Sequence, residues 1–192
     1  STWLVVVSGG LSTGIGFAMK DILENIYYGI SLMTGRIKIG DYIVCDGIRG
    51  RVSSISYTST MLEALDGSVI AFQNSQLFTK NYKNMTKNHG YELDILEVGI
   101  AYGSNINEVK KMLVDAITAL GITYTEKSVQ VMIKSFDDSC VTLKVLVWVN
   151  VFTQGSDDSA IMECIYETLE KNGIEIPFPQ REITIKHQTI EE

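Results

Sequence analysis

The stretch WLVVVSGGLSTGIGFAMKDIL, residues 3–23, decides how the chain is read. No charged side chain occurs before Lys20. As a helix, those first nineteen residues span about 28 Å at about 1.5 Å per residue. That is close to the roughly 30 Å hydrocarbon core of a bilayer. Gly9, Gly10, Gly14 and Gly16, with Ser12, Thr13 and Ala18, then make a thin helix. Small residues let neighbouring membrane helices bring their backbones close. The same glycines also suit packing in an ordinary bundle. A secretory signal peptide fits poorly, because it needs a basic region before the apolar run and a cleavage site after it. The helical pattern instead continues through Asp21 to Met33. A chain that opens on Ser1 reads as a fragment or a processed product.

Residues 9–16 also come near the T-G-x-x-x-G-x-G loop of short-chain dehydrogenases, whose glycines let backbone N–H groups reach a pyrophosphate. Gly9 stands where that loop has Thr. A dinucleotide fold also needs a second strand ending in an acid about 20 residues on. At that distance the chain reads as helix, and no Tyr-x-x-x-Lys pair occurs. An NAD(P)-binding oxidoreductase is therefore the alternative, not the leading reading.

Working outward, Ile22, Ile26, Ile30 and Met33 recur at helical spacing among Lys20, Asp21 and Glu24, the mark of an amphipathic helix. Tyr27, Tyr28, Arg36 and Lys38 are the aromatic and basic flank expected on the cytoplasmic side of a membrane. The 192 residues carry net charge −7, unevenly spread: −1 over residues 1–35, +3 over 36–87 and −9 over 88–192. An acidic total argues against nucleic acid as a partner, because phosphate neutralisation needs a cationic face. Cys45, Cys140 and Cys164 are widely spaced and form no CxxC pair, so neither a disulfide framework nor a zinc site is expected.

From Ile37 to Met85 short apolar runs alternate with the turn signals Gly40-Asp41, Asp46-Gly47, Arg49-Gly50 and Asp66-Gly67. The expected strands are Tyr42–Cys45, Val52–Thr60 and Ser68–Phe72, in a small bent antiparallel sheet. Residues 91–187 read β-α-β-β-α-β, the ferredoxin-like order. Asn105-x-x-Glu108 caps the first helix, the second runs from about Asp158 to Asn172, and Gln180–Gln188 is the last strand. The domains expected are 1–35, 36–88 and 89–192, in an α+β membrane protein.

Catalytic constellations are thin. His89 and His187 have no cysteine or carboxylate cluster at ligand spacing. The adjacent pairs Asp137-Asp138 and Asp157-Asp158 do not converge, because neighbours in sequence face apart. No G-x-S-x-G, H-E-x-x-H or Walker sequence is present. Neither a catalytic residue, a metal nor a cofactor is expected.

GFAMKDILENIYYGI (16–30), IKIGDYI (37–43), ALDGSVIAFQNS (64–75) and NGIEIPFPQ (172–180) follow one another in this order. Together they resemble the family of the mechanosensitive channel of small conductance, across essentially the whole chain. The resemblance implies a homo-heptamer in the cell (inner) membrane, multi-pass in the full-length protein. In it a pore-lining helix is followed by an Sm-like β domain and a ferredoxin-like αβ vestibule domain, both cytoplasmic. It places two pore constriction rings at Thr13 and Phe17, with Thr13 standing where the family has an apolar residue. It also places a helix break at Lys20-Asp21, where the prototype has glycine at the second position. Asn25 and Gly29 match the family's Asn-x-x-x-Gly, with Gly29 a second hinge. The implied partners are the lipid bilayer, further copies of the chain, and permeant ions and small solutes. The implied function is a weakly selective channel opened by tension on osmotic downshock, with the acidic residues 88–192 tilting permeation toward cations. A non-conducting membrane scaffold of the same fold is the second alternative.

Overall fold

A computed structural model describes residues 2–183. The chain divides after Gly90 into two compact units.

The first unit opens with α1 (Thr2–Ser31). The helix widens into a π-type turn, Leu32–Arg36, which ends at Gly35 with φ +116°. That backbone geometry suits glycine, which has no Cβ to clash. An antiparallel five-stranded sheet follows, in the order β4-β3-β2-β1-β5. Its strands are β1 (Tyr42–Cys45), β2 (Ile48–Ile55), β3 (Ser59–Ala64), β4 (Val69–Gln73) and β5 (Tyr82–Asn84), with the short α2 (Asn74–Thr79) between the last two. Asp46 and Gly47, both at positive φ, make the tight β1–β2 hairpin. Asp66-Gly67 turns as its sequence implies: Asp66 Oδ1 accepts from the Ser68 N–H at 2.9 Å and its hydroxyl at 2.6 Å.

Two sequence expectations in this unit need correction. Arg49-Gly50 is no turn but lies inside β2. A Cβ at Gly50 would stand 2.8 Å from the Glu63 carbonyl oxygen, so the glycine serves the close approach of β3. The single strand expected over Val52–Thr60 is two strands, β2 and β3. The Ser56 N–H and hydroxyl both donate to the Ser59 carbonyl at 2.8 Å and close the turn between them. Leu32, Ile43, Val52, Leu62, Phe72 and Leu77 fill the core of this unit.

The second unit contains β6 (Tyr91–Ile100), α3 (Ile106–Ala119), β7 (Gln130–Phe136), β8 (Val141–Asn150) and α4 (Gln154–Lys171). Its antiparallel sheet runs β6-β8-β7. Alternate residues of β8, Val141 to Val149, meet Val109, Leu113 and Ile117 of α3 and Ile161, Ile165 and Leu169 of α4 in one core. Asn105 caps α3 as expected, accepting from the Glu108 N–H at 3.5 Å. Helix α4 starts four residues before the expected Asp158. The Thr153 carbonyl takes the N–H groups of Ser156 and Asp157, and the Thr153 hydroxyl bonds Asp157. The last expected strand, Gln180–Gln188, is not formed over Gln180–Ile183, and its remainder lies outside the described residues. Pro177 and Pro179 have no N–H for a ladder, and the Gln180 N–H donates instead to the Ser139 hydroxyl at 3.0 Å. The architecture is thus an apolar helix, a small β domain and an αβ domain.

Candidate functional site: an apolar helix docked on a β domain

Helix α1 is about 45 Å long at about 1.5 Å per residue. Among the described residues it is the one helix long and apolar enough to cross a bilayer, by length and composition. Its mean hydropathy reaches 1.4 over eighteen residues, none of them buried. Trp3, Val5, Val6 and Leu11 are exposed, and Phe17 is 75% exposed. A helical stretch that is apolar on all sides and, over these eighteen residues, covered by nothing described in its own chain needs a partner outside it. A Cβ at Gly9, Gly10, Gly14 or Gly16 would meet nothing within 4 Å, so these glycines serve no contact inside the chain. The dinucleotide reading fails here, because Trp3–Val7, which that fold would need as the strand leading into the glycines, is part of helix α1.

At about 3.6 residues per turn, Thr13 and Phe17 lie on one face a turn apart. Gly9 and Gly16 flank them on one side, Gly10 and Gly14 on the other. The Thr13 hydroxyl donates to the Gly9 carbonyl at 2.8 Å, which spends its proton on the helix's own backbone. The break implied at Lys20 and Asp21 is absent: α1 is helical through both. Asp21 has the side chain that the prototype's glycine lacks, and its carbonyl accepts from Asn25 Nδ2 at 2.8 Å.

Asn25 and Gly29 are the two buried residues of α1, and both face the β domain. Asn25 Oδ1 accepts from the Ser75 N–H at 2.9 Å, where α2 begins. A Cβ at Gly29 would fall 2.3 Å from the Tyr57 carbonyl oxygen and 2.5 Å from Asn74 Nδ2. Beneath this contact Asn74 is fully buried. Its Nδ2 donates to the Ser56 carbonyl at 2.8 Å, its Oδ1 accepts from the Thr60 hydroxyl at 2.9 Å, and its N–H donates to the Thr58 carbonyl at 3.1 Å. Tyr28 stacks on Phe78 of α2 at 4.5 Å between centroids, and the Arg36 guanidinium lies 4.2 Å from the Phe78 ring centre. Arg36 thereby fastens the π-type turn to the same helix.

In this structure, then, Asn25 and Gly29 belong to a dock. Thr60, Asn74 and Phe78 complete it, and sequence reasoning missed all three. The available signal was Asn74-Ser75 directly after a strand, a polar pair suited to starting a helix. Burial pushes the Cys45 thiol upward, which suits a core group better than a nucleophile.

The chain matches two family models. The Mechanosensitive ion channel, beta-domain, covers residues 21–87, and the Mechanosensitive ion channel MscS, C-terminal, covers residues 94–176. An MscS family protein of Archaeoglobus fulgidus is 31% identical over 92% of this chain and 63% of its own length. The small-conductance mechanosensitive channel of Helicobacter pylori is 28% identical over 98% of this chain and 69% of its own length. The chain thus spans about two thirds of these relatives. The crystal structure of Helicobacter pylori MscS in its closed state superposes with a TM-score of 0.81, covering 97% of this chain and 74% of that one, at 28% identity. Arabidopsis thaliana MSL1, at 15% identity and TM-score 0.71 over 91% of this chain and 65% of that one, shares the fold. With an apolar helix, a β domain and a C-terminal αβ domain each in place, the chain belongs to the MscS family of mechanosensitive ion channels.

Proposed function

We propose that this chain supplies the pore-lining helix and the cytoplasmic domains of a homo-heptameric channel of the cell (inner) membrane, multi-pass in the full-length protein. Membrane tension opens it, and it passes ions and small solutes on hypo-osmotic shock, without catalysis. Residues 1–35 are the membrane segment and its continuation, 36–88 the β domain and 89–192 the vestibule domain.

The uncovered apolar helix α1 carries this reading. Copies packed through Gly9, Gly10, Gly14 and Gly16 bring their Thr13 and Phe17 side chains to a common axis. A ring of Phe17 side chains closes the path by dewetting, since a narrow apolar constriction does not hold a water column. Tension biases the opening because the wider state occupies more membrane area, and an effector acts through its differential coupling to two states. The dock at Asn25 and Gly29 transmits helix movement to the β domain, with Lys20 and Asp21 as the point where α1 bends on opening.

The test is patch recording of the full-length protein in liposomes. Graded tension evokes current in this reading. Silence at every sub-lytic tension rejects it, and a protein that assembles but never conducts is a scaffold.

A further inference from the structure

We propose that the αβ domains join neighbouring copies head to tail: the open face of the β6-β8-β7 sheet in one copy seats the outer face of α4 in the next. The inference rests on the ring reading above and names the surfaces that close the ring. Val141 to Val149, alternate residues of β8, point into the core under α3 and α4. The residues between them point the other way. On that second face the register sets Leu93 opposite Trp148, Ile95 opposite Leu146 and Met132 opposite Lys144. Nothing described in the chain covers it: Ile95 is 50% exposed, and Leu93 and Met132 are exposed on either side of β8. Helix α4 turns Ile161, Ile165 and Leu169 into the core, so its Met162 and Tyr166 face away from the sheet. Tyr166 is 56% exposed, and a groove of about 390 Å³ runs from it along Ile174, Ile176 and Phe178. The αβ domain therefore has an apolar surface on each of two opposite sides. Uncovered apolar patches of this kind mark interaction sites.

Charge selects the partner. On the sheet face Lys134 and Lys144 stand with Glu97, and Lys134 holds Glu97 at 2.6 Å. Lys144 is left over, with no hydrogen bond or ion pair among the described residues. On the α4 face Glu163, Glu167 and Glu170 stand with Lys171, which takes Glu167 at 3.1 Å. The carboxylates of Glu163 and Glu170 are left over there. A net basic apolar surface thus faces a net acidic one when the two meet, whereas either surface set against its own copy brings like charges together. Neighbours in a closed ring of more than two copies meet through two different surfaces, because a twofold contact ends at the dimer. The αβ domain supplies such a pair.

The experiment uses the full-length protein in membranes, with Cys140→Ser and Cys164→Ser to clear the background; Cys45 is buried and stays. Ile95→Cys and Tyr166→Cys are combined in one chain and treated with a short bismaleimide. The expected result is a ladder of linked subunits on a denaturing gel, ending at the full ring, with single subunits alone when either cysteine is present without the other. Met132→Cys with Met162→Cys is a second pair read in the same way, so that one variant failing to fold does not decide the matter. Particles that native mass spectrometry in detergent sizes as rings, but that give no ladder with either pair, overturn the proposal and leave the channel reading standing. Linked dimers from a variant with one introduced cysteine overturn it as well, because they report a twofold contact. A protein that stays a single subunit by mass fails the ring reading itself and takes this inference with it.

Discussion

Gly29→Ala isolates the dock with a single carbon atom. In the helix the change is favourable by itself, since alanine improves on glycine by about 0.8–1.0 kcal/mol in a helix interior. At this site the new Cβ would fall 2.3 Å from the Tyr57 carbonyl oxygen and 3.0 Å from its carbon, atoms of a backbone that no rotamer change removes. Restoring ordinary contact at 3.4 Å requires α1 and the Ser56–Ser59 turn to part by about 1 Å. The Ser75 N–H to Asn25 bond, now 2.9 Å, then stretches beyond useful length. Overpacking costs about 1–3 kcal/mol and the lost hydrogen bond about 0.5–1.5 kcal/mol. Set against the helix gain, the net loss is about 1–3 kcal/mol. At about 2–4 °C per kcal/mol for a chain of this size, the melting temperature falls by about 2–12 °C. The assay is thermal unfolding of the detergent-solubilised full-length protein, with Gly14→Ala as the companion, where the added carbon meets nothing in its own chain. A Gly29→Ala protein as stable as the parent, or more so, would refute the close approach on which the dock depends.

Asn74→Ala leaves the Thr60 hydroxyl and the Ser56 carbonyl without their partner inside the fold, and unfolding in detergent should show a loss of about 2–3 kcal/mol. Asn25→Ala removes the acceptor for the Ser75 N–H; a loss of about 1 kcal/mol is expected, together with a shifted tension threshold in patch recordings. Phe17→Ser replaces the most exposed apolar side chain of the Thr13–Phe17 face with one that water wets. Such channels should leak at rest, detectable as slowed growth or spontaneous current. Asp158 is pushed up to about 6, chiefly by burial, then by its hydrogen bond to Asp94 and the charges of Asp94, Asp157 and Glu92. A carboxyl whose folded value exceeds its unfolded one holds its proton more tightly in the fold, so its contribution to stability falls as pH rises from about 4 to about 6. Asp158→Asn should flatten that dependence and raise the melting temperature at pH 7.5, by about 1–3 °C given how much solvent screens the site.

Much of the fold is legible because it rests on local pattern. The charge-free run before Lys20 announces α1, alternating Val141 to Val149 announces β8, and Asn105-x-x-Glu108 announces the start of α3. The errors fall where tertiary contact overrides local signal. Gly50 looks like a turn residue, and only the neighbouring β3 reveals why glycine sits in a strand. The Ser56–Ser59 turn has neither Gly nor Pro to mark it. Of the candidate site, the stripe through Thr13 and Phe17 is readable from helical spacing alone. The dock is not, because Asn25 and Ser75 are joined across 50 residues and no periodicity connects them. Lys20-Asp21 shows the converse: family likeness implied a break, while Lys20 is a good helix former, Asp21 lacks the backbone freedom of glycine, and the chain there is helical.

The span between Asn25 and Ser75 also has a consequence for biogenesis. The helix leaves the ribosome before the strands that dock on it exist, so Asn25 must wait for its partner. Contacts that close long loops come late in folding. Insertion of the apolar segment and maturation of the β domain are therefore two stages of one process, and the second completes the first. A nascent chain stalled between them would keep the Asn25 Nδ2 bond to the Asp21 carbonyl inside the helix but leave its Oδ1 without the Ser75 N–H.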